Sequence, residues 1–297
     1  MEAEPPKRKR RWYQFSLRSL MILTLIVAVG CGLLGRKIEQ KRREREAVAA
    51  LVKLGGDVLY DYQRADGNPA GPSWIRELLG ENFFDEVEDV ALFRIEAADK
   101  ALDHLKELTQ LKYLSLLQCT VTDMGLAHLK GLTHLNYLIL DGARITDNGL
   151  TNLKSLTQME TLDLGNTKVG DDGLENLKDM KQLETLGLDH TKVSDLGLER
   201  LKGLTHLQIL YLGRTRISDA GLESLTGLTH LQKLYLNATK VTDNGIAKLN
   251  GLSQLGVLDV RDTTITPDGE RELHRALPDC YIQSDPRPNL PPQYDFK

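Results

Sequence analysis

Apolar residues recur along most of this chain at a fixed interval of 24 residues. Leucine occupies one column of the pattern in seven successive units, and a second apolar column lies two positions further on. Glycine occupies a third column. A fixed period in this range indicates a solenoid, in which each unit packs only against its neighbours. The three columns are Leu114, Leu138, Leu162, Leu186, Leu210, Leu234 and Leu258; Leu116, Leu140, Leu164, Leu188, Leu212, Leu236 and Val260; and Gly125, Gly149, Gly173, Gly197, Gly221, Gly245 and Gly269.

Each unit has two halves with different periodicities. In the first half, apolar and variable residues alternate, as at 159–167, which predicts a half-buried strand. In the second half, leucines lie three positions apart, as at Leu198, Leu201 and Leu204, which predicts a short helix with one buried side. The glycine column falls inside this helix, where glycine lowers helix propensity. We therefore expect the chain to approach its neighbour closely at that point.

Polar residues also recur, at the start of each predicted helix. Thr146, Ser194 and Ser218 each precede an aspartate, which predicts helix N-caps with negative charge in the first turn. A basic column and an acidic column three residues further on are predicted to pair as exposed charges, which stabilise a fold only slightly. The members of these two columns are Arg144, Lys168, Lys192, Arg216 and Lys240, and Asp147, Asp171, Asp195, Asp219 and Asp243.

The repeat unit reads L-x-x-L-x-L-x-x-T and then x-[IV]-[TSG]-D-x-G-L-x-x-L-x-x-L. It resembles the leucine-rich repeat family, and in particular bacterial membrane-anchored proteins with short 24-residue repeats. The resemblance implies an α/β fold, a right-handed solenoid with parallel strands on its concave face and short helices on its convex face. In the family, an Asn or Cys after the strand bonds to the backbone of the turn. Cys119 and five threonines stand at that position here, whereas Ala143 lacks the polar atom for such a bond.

The N-terminal part of the chain carries a different pattern, a basic segment at 1–18 and then an uncharged apolar run at 19–35. The 17 residues of this run are the lower limit for a transmembrane helix, and Trp12 and Tyr13 suit a membrane interface. Three interpretations stay open: an uncleaved anchor, a cleaved signal peptide, and a lipoprotein signal ending at Cys31. No A-x-A cleavage site follows the run, which favours the anchor and a single-pass membrane protein.

Charge does not decide the orientation of this predicted anchor. Lysine and arginine number six at 1–18 and seven at 36–53, so the positive-inside rule gives no preference. The opening at 11–18 resembles the leader of bacterial membrane-anchored leucine-rich repeat proteins. That resemblance favours a cytoplasmic N-terminus and extracytoplasmic repeats.

Helix-ending glycines and helix-capping residues divide the rest of the chain. Gly55-Gly56 ends a polar helix, and Ser73 is predicted to cap a short helix, Trp74–Leu79, that covers the first core strand. Residues 280–282 are predicted to add a closing strand. The predicted domains after the anchor are a juxtamembrane helix at 36–54, an N-terminal cap at 55–86, eight repeats of 24 residues at 87–278, and a C-terminal cap with a proline-rich tail at 279–297.

Charge and motif content narrow the function. Residues 87–278 hold 21 Lys and Arg against 27 Asp and Glu, so the repeats lack the basic face that nucleic acid requires. The sequence contains no nucleophile elbow, H-E-x-x-H motif, P-loop or dinucleotide-binding turn, and so predicts no enzyme, cofactor or metal. His134, His206 and His230 share a column with glutamines, which indicates a polar position rather than metal ligands.

Variable strand residues are the candidates for function, because they face the open side of the predicted sheet. Exposed Tyr and Arg among small and acidic residues are typical of protein interfaces, and we expect Tyr211 and Tyr235 to be the main anchors. The sequence thus predicts a membrane-anchored module that binds a protein or peptide. The alternatives are a structural spacer of the cell envelope without a ligand and an adaptor for a ubiquitin-ligase-like enzyme. The predicted binding residues are Tyr113, Tyr137, Asp163, Asp189, His190, Tyr211, Arg214, Tyr235 and Asp259.

Overall fold

The computed structural model describes residues 17–64, 67, 69–96 and 98–285. The chain forms two units, residues 1–43 and 44–297. Helix α1, Leu17–Lys53, begins in the first unit and ends in the second. The apolar side chains of 20–34 are exposed, as they would be in a lipid environment. Length and composition allow α1 to cross a membrane, although a signal sequence would satisfy the same criteria.

The second unit is built on a ten-stranded sheet whose strands follow chain order. The pairing is parallel from β2 to β10, and β1 joins β2 antiparallel. The strands are β1 Asp57–Tyr60, β2 Val87–Ala91, β3 Tyr113–Ser115, β4 Tyr137–Ile139, β5 Thr161–Asp163, β6 Thr185–Gly187, β7 Ile209–Tyr211, β8 Lys233–Tyr235, β9 Val257–Asp259 and β10 Tyr281–Gln283.

Short helices connect the strands. They are α2 Asp61–Arg64, α3 Ser73–Leu79, α4 Asp99–Leu105, α5 Asp123–Leu126, α6 Asp147–Leu150, α7 Asp195–Leu201, α8 Asp219–Leu222, α9 Asp243–Ile246 and α10 Pro267–Ala276, with 3-10 helices at Ala127–Leu129, Gly173–Leu177, Glu223–Leu225 and Ala247–Gly251. The predicted solenoid fold is therefore confirmed, with 3-10 turns replacing or extending several of the expected α-helices.

Both apolar columns form the core, since neighbouring strands pair residue for residue at the 24-residue interval. Leu186, for example, pairs with Leu210 and both are fully buried. The same register repeats from β2 to β9, so each leucine packs on its equivalent in the next repeat. The core therefore extends along the stack without a single centre.

Aspartates of the predicted acidic column link successive repeats. The Oδ1 atom of Asp195 accepts the backbone N–H of Ser218 at 2.8 Å, and its Oδ2 accepts the Ser218 hydroxyl at 2.5 Å. The expected pairing of this column with the basic column is wrong, because these carboxylates are already held by the next repeat and no ion pair joins the two columns in the described part of the chain. Equivalent pairs are Asp99–Thr122, Asp123–Thr146, Asp171–Ser194, Asp219–Thr242 and Asp243–Thr266.

The glycine column follows from this link. A Cβ atom on Gly221 would lie 2.4 Å from Oδ1 of Asp195, and the other glycines of the column face the preceding aspartate in the same way. The predicted close approach is confirmed, and the atom that requires it is the carboxylate oxygen. The first repeat has Ala101 at this position.

The helix caps follow the prediction only in part. The side-chain oxygens of Thr146 and Ser218 each accept a backbone N–H within their own helix. The Ser194 hydroxyl makes no such cap bond and donates to Asp171 instead. In the repeat where Gly170 replaces Thr or Ser, Asp147 receives only the Gly170 N–H, at 2.6 Å. That repeat has no side-chain cap, and its convex segment is the 3-10 helix Gly173–Leu177 alone.

The turn after each strand uses the threonine position as the resemblance implied. The Thr191 hydroxyl donates to the Leu188 carbonyl at 2.6 Å, and the other four threonines of the column do the same. Ala143 makes no such side-chain bond, but Gly142 before it has a φ of 78°, which costs glycine little. The other repeats place non-glycine residues in this left-handed conformation, including His190 and Arg214 with φ of 57° and 56°.

The ends of the stack differ from the predicted caps. Strand β10 closes the C-terminal end one residue later than expected. At the N-terminal end, β1 covers β2, and Ala47 and Leu51 from the end of α1 lie in the core. Helix α3 buries no residue, so its predicted role as the cover is wrong, and Ser73 is its first residue rather than its cap. The core thus extends into α1, before the predicted cap boundary at 55.

We expect Gly221→Ala to lower the free energy of unfolding by about 1–3 kcal/mol, because the new Cβ overlaps the Asp195 carboxylate. Asp195→Ala removes two hydrogen bonds and should cost a similar amount. The double variant should lose less than the sum of the two, since the overlap is gone. Urea unfolding of the three variants checks this. Gly227→Ala, whose Cβ meets no atom within 4 Å, is the control and should change stability by less than about 0.5 kcal/mol. If the stability losses of the two single variants simply add in the double variant, the contact between Gly221 and Asp195 is contradicted.

Candidate protein-binding face

The side chains of β2–β9 that point away from the leucine core form the concave face. Alternation along each strand places residues on either side of a buried leucine on this face. On β4, for example, Leu138 is buried while Tyr137 and Ile139 are half-buried. Register then aligns equivalent residues of successive strands into rows.

Two stacked tyrosine pairs stand on this face. The ring centroids of Tyr211 and Tyr235 lie 4.5 Å apart with planes 10° apart, and those of Tyr113 and Tyr137 lie 4.4 Å apart at 17°. The structure therefore brings the predicted anchors Tyr211 and Tyr235 together and adds a second pair. Burial raises the pKa of Tyr137 and Tyr211, and the neighbouring tyrosine adds to the rise. These two phenols are therefore neutral at physiological pH.

The surface between the two pairs is a shallow depression. Its volume is about 220 Å³, and small residues of β5 and β6 form its floor. Sequence reasoning missed it, because it depends on the small size of Thr161, Thr185 and Gly187 between the tyrosine pairs. It is lined by Tyr137, Ile139, Thr161, Asp163, Thr185, Gly187, Asp189 and Tyr211.

Two predicted site residues, Asp163 and Asp189, place carboxylates in this depression. The Oδ1 atom of Asp163 accepts the Gly165 N–H at 2.9 Å, and Oδ1 of Asp189 accepts the Gly213 N–H at 2.7 Å. Burial raises the pKa of both carboxyls. At Asp189 the Gly213 bond opposes the rise, repulsion from Asp163 and Asp141 adds to it, and the pKa reaches about 6.

Asp141 is a third carboxylate beside the depression that the predicted set did not include. It receives the Asn166 amide at 2.7 Å, and its charge raises the pKa of the other two. Within the described residues no Lys, Arg or His forms an ion pair with Asp141, Asp163 or Asp189. The centre of the concave face is thus acidic and has no cation of its own.

His190 and Arg214 lie in the left-handed turns that follow β6 and β7. Both are exposed, and the Nδ1 atom of His190 lies 3.0 Å from Oδ1 of Asn166. With Asp189 they line a second hollow of about 230 Å³, next to the depression. These three predicted residues therefore do meet, at the edge of the concave face.

Asp259 differs from the prediction. It is only 1% exposed, and its carboxylate is held by Arg261 through Nε at 2.9 Å and Nη2 at 2.6 Å. Strand β10 pairs with β9, so β9 is an interior strand. Arg261 is the residue that reaches solvent there.

No group of three or more His, Cys, Asp or Glu side chains is arranged to hold a metal ion within the described ranges. In the histidine column, Nδ1 of His134 and of His230 lies about 3 Å from a backbone carbonyl of the preceding repeat. These ring nitrogens thus lie within bonding distance of the repeat backbone.

Register, buried leucine columns and the open strand face define a solenoid of strand–turn–helix repeats. Two family models described as leucine rich repeats match the chain, one at 181–241 and one at 131–154 and 155–178. Segments 131–178 and 181–241 therefore match the leucine-rich repeat family. A search of curated proteins found no match.

Solved structures of bacterial proteins share the fold. Internalin InlF from Listeria monocytogenes is 28% identical with a TM-score of 0.53, over 63% of this chain and 51% of that one. Internalin C2 from the same organism is 24% identical with a TM-score of 0.51, over 67% of this chain and 81% of that one. This chain therefore spans about half the length of InlF.

We expect Asp189→Asn to raise the free energy of unfolding at pH 7.5 by about 1 kcal/mol, after allowance for solvent screening. The folded-state pKa of Asp189, about 6, lies above the ordinary value of 3.8, so the ionised carboxylate destabilises the native state above pH 6. The gain should therefore shrink as the pH falls through 6 and vanish below about 4.

Urea unfolding of the full-length protein at pH 7.5, 6 and 4.5 gives the comparison. Asp179→Asn, at an exposed position, makes the same charge change and should have little effect. A variant less stable than the wild type at pH 7.5 would show that the Asp189 charge is needed for folding.

Proposed function

We propose that this protein is a membrane-anchored module that binds another protein through its concave face. One observation carries the proposal. Two stacked tyrosine pairs flank an acidic depression on an open sheet surface. The family and the apolar stretch of α1 support the two halves of the proposal, binding and anchoring.

The tyrosine pairs suit recognition for a physical reason. Each ring is already ordered by its stacked neighbour and by a strand of fixed register, so binding freezes few additional rotamers. Tyrosine presents both a large apolar surface and a hydroxyl, and it is enriched among residues that dominate binding energy. Tyr211 and Tyr235 remain the proposed main anchors.

A spacer without a ligand is the competing function. The aspartate links between repeats would make a stiff solenoid whether or not a partner binds. In that case the stacked tyrosines would only shield the sheet from water. No feature of the described residues specifically favours an adaptor for a ubiquitin-ligase-like enzyme.

We expect the double substitution Tyr211→Ser and Tyr235→Ser to weaken capture of a protein partner by about 30-fold or more, the effect of losing a binding hot spot. Thermal stability should change little, because both rings are partly exposed. Full-length protein in lipid nanodiscs is used for capture, followed by titration of each protein retained by the wild type. Tyr281→Ser, at an exposed position on β10, is the control.

The spacer function gives the opposite pattern. It predicts that the double variant is less stable than the wild type. It also predicts that the two forms capture the same proteins. Equal retention of every captured protein by the two forms would reject binding through Tyr211 and Tyr235.

The anchor is tested by washing membranes with alkaline carbonate. We expect the full-length chain to stay in the pellet, because the uncharged run of α1 is long enough to span the lipid core. Its intact mass should include residues 1–30. A chain cleaved before Cys31, or one released by Cys31→Ser, would support the lipoprotein instead. Protease added to intact bacterial cells should digest the repeats, and their protection would reverse the proposed orientation.

A further inference from the structure

We propose that the depression between the two tyrosine pairs receives an arginine or lysine side chain from an extended segment of the partner protein. This rests on the proposed function, since it names the chemistry of the partner at the same face. The positive group would lie over Asp163 and Asp189, with Tyr137 on one side and Tyr211 on the other.

The dimensions of the depression fit one long side chain. Tyr137 and Tyr211 stand on β4 and β7, which are three strand spacings, or about 14 Å, apart. Thr161, Thr185 and Gly187 between them rise little above the sheet. A guanidinium or ammonium group on a flexible stem can therefore reach the floor while the backbone of the segment stays above the rings.

The floor is shaped to present carboxylate oxygens. A Cβ atom on Gly187 would lie 2.3 Å from Oδ1 of Asp163, so that carboxylate lies across the glycine of the next strand. Asp189 lies across Gly213 in the same way, at 2.7 Å. Each carboxylate is fixed through Oδ1 by one backbone N–H, and Oδ2 accepts no hydrogen bond from the described residues.

Charge complementarity identifies the occupant as cationic. Three carboxylates lie together without an ion-pair partner among the described residues, although other acidic residues of the repeats do have one, as Glu175 has Arg200. A cation entering the depression would offset the mutual repulsion of Asp141, Asp163 and Asp189. The rings of Tyr137 and Tyr211 at its sides add the attraction of a cation to an aromatic face.

The surroundings favour a single basic residue within a peptide over a polybasic one. Lys233 lies exposed on β8, and Arg214 lies exposed beyond β7, so further positive residues would be repelled on that side. The second hollow next to Asp189 continues the surface along the sheet, which suits an extended chain more than a free amine. A planar guanidinium can also donate two parallel bonds to a carboxylate, which favours arginine.

The test is selection from a phage-displayed library of random nonapeptides on full-length protein in nanodiscs of neutral phosphatidylcholine. We expect the selected peptides to share one arginine or lysine. Replacing that residue by a neutral analogue, citrulline for arginine or norleucine for lysine, should weaken binding by roughly tenfold or more. The double variant Asp163→Asn and Asp189→Asn should lose binding to the same extent. The matched control, Asp172→Asn with Asp179→Asn, should bind as the wild type does.

The proposal is overturned if no peptide is selected, if the selected peptides share no basic residue, or if they bind the Asp163→Asn, Asp189→Asn variant equally well. Thermal melting of that variant shows whether it is folded. A protein partner that needs Tyr211 and Tyr235 but tolerates both asparagines would end this inference and leave the proposed function intact. If neither the tyrosine variant nor the asparagine variant loses binding, both the inference and the proposed function are rejected.

Discussion

The carboxylate that joins each repeat to the next is the interaction on which the other features of the stack depend. An aspartate such as Asp195 receives both the backbone N–H and the hydroxyl of Ser218 in the following repeat. Because the carboxylate must lie against the next convex segment, the residue facing it has no room for a Cβ atom, as at Gly221. Hydroxyl, aspartate and glycine columns are thus parts of one contact. This contact fixes the distance between repeats on the convex side, as strand pairing does on the other side.

A fixed spacing on both sides produces the rows of the concave face. Equivalent residues on successive strands stand in register, so two tyrosines at one position in adjacent repeats stack, as Tyr211 and Tyr235 do. Small residues in the same rows leave a depression between the aromatic pairs. The proposed binding surface therefore depends on which residues fill the variable strand positions, while the leucines, aspartates and glycines only set the frame.

The sequence could predict the features that follow from periodicity. The leucine columns, the parallel strands at 24-residue intervals and the close approach at the glycines are all present. The sequence could not reveal that the aspartates bind the next repeat, because their partners lie 23 residues away. An acidic column beside a basic column also looks like a set of paired surface charges. The N-terminal end was also missed, since β1 and the buried Leu51 of α1 lie outside the repeats. Asp259 was misplaced because its burial depends on β10 and Arg261, which have no periodic equivalent.

Aspartate has two different roles in this molecule. The hydrogen bonds that each carboxylate accepts distinguish the two. Apart from Asp147, the linking aspartates use both oxygens within the fold: Asp219 accepts a backbone N–H at 2.7 Å and a hydroxyl at 2.7 Å from Thr242. Asp163 and Asp189 each receive one backbone N–H and stand close enough for mutual repulsion, with burial raising the pKa of both. Asparagine could accept that one bond equally well without the charge. The charge at these two positions is therefore unfavourable for the isolated fold, and a positively charged ligand is what would make it favourable.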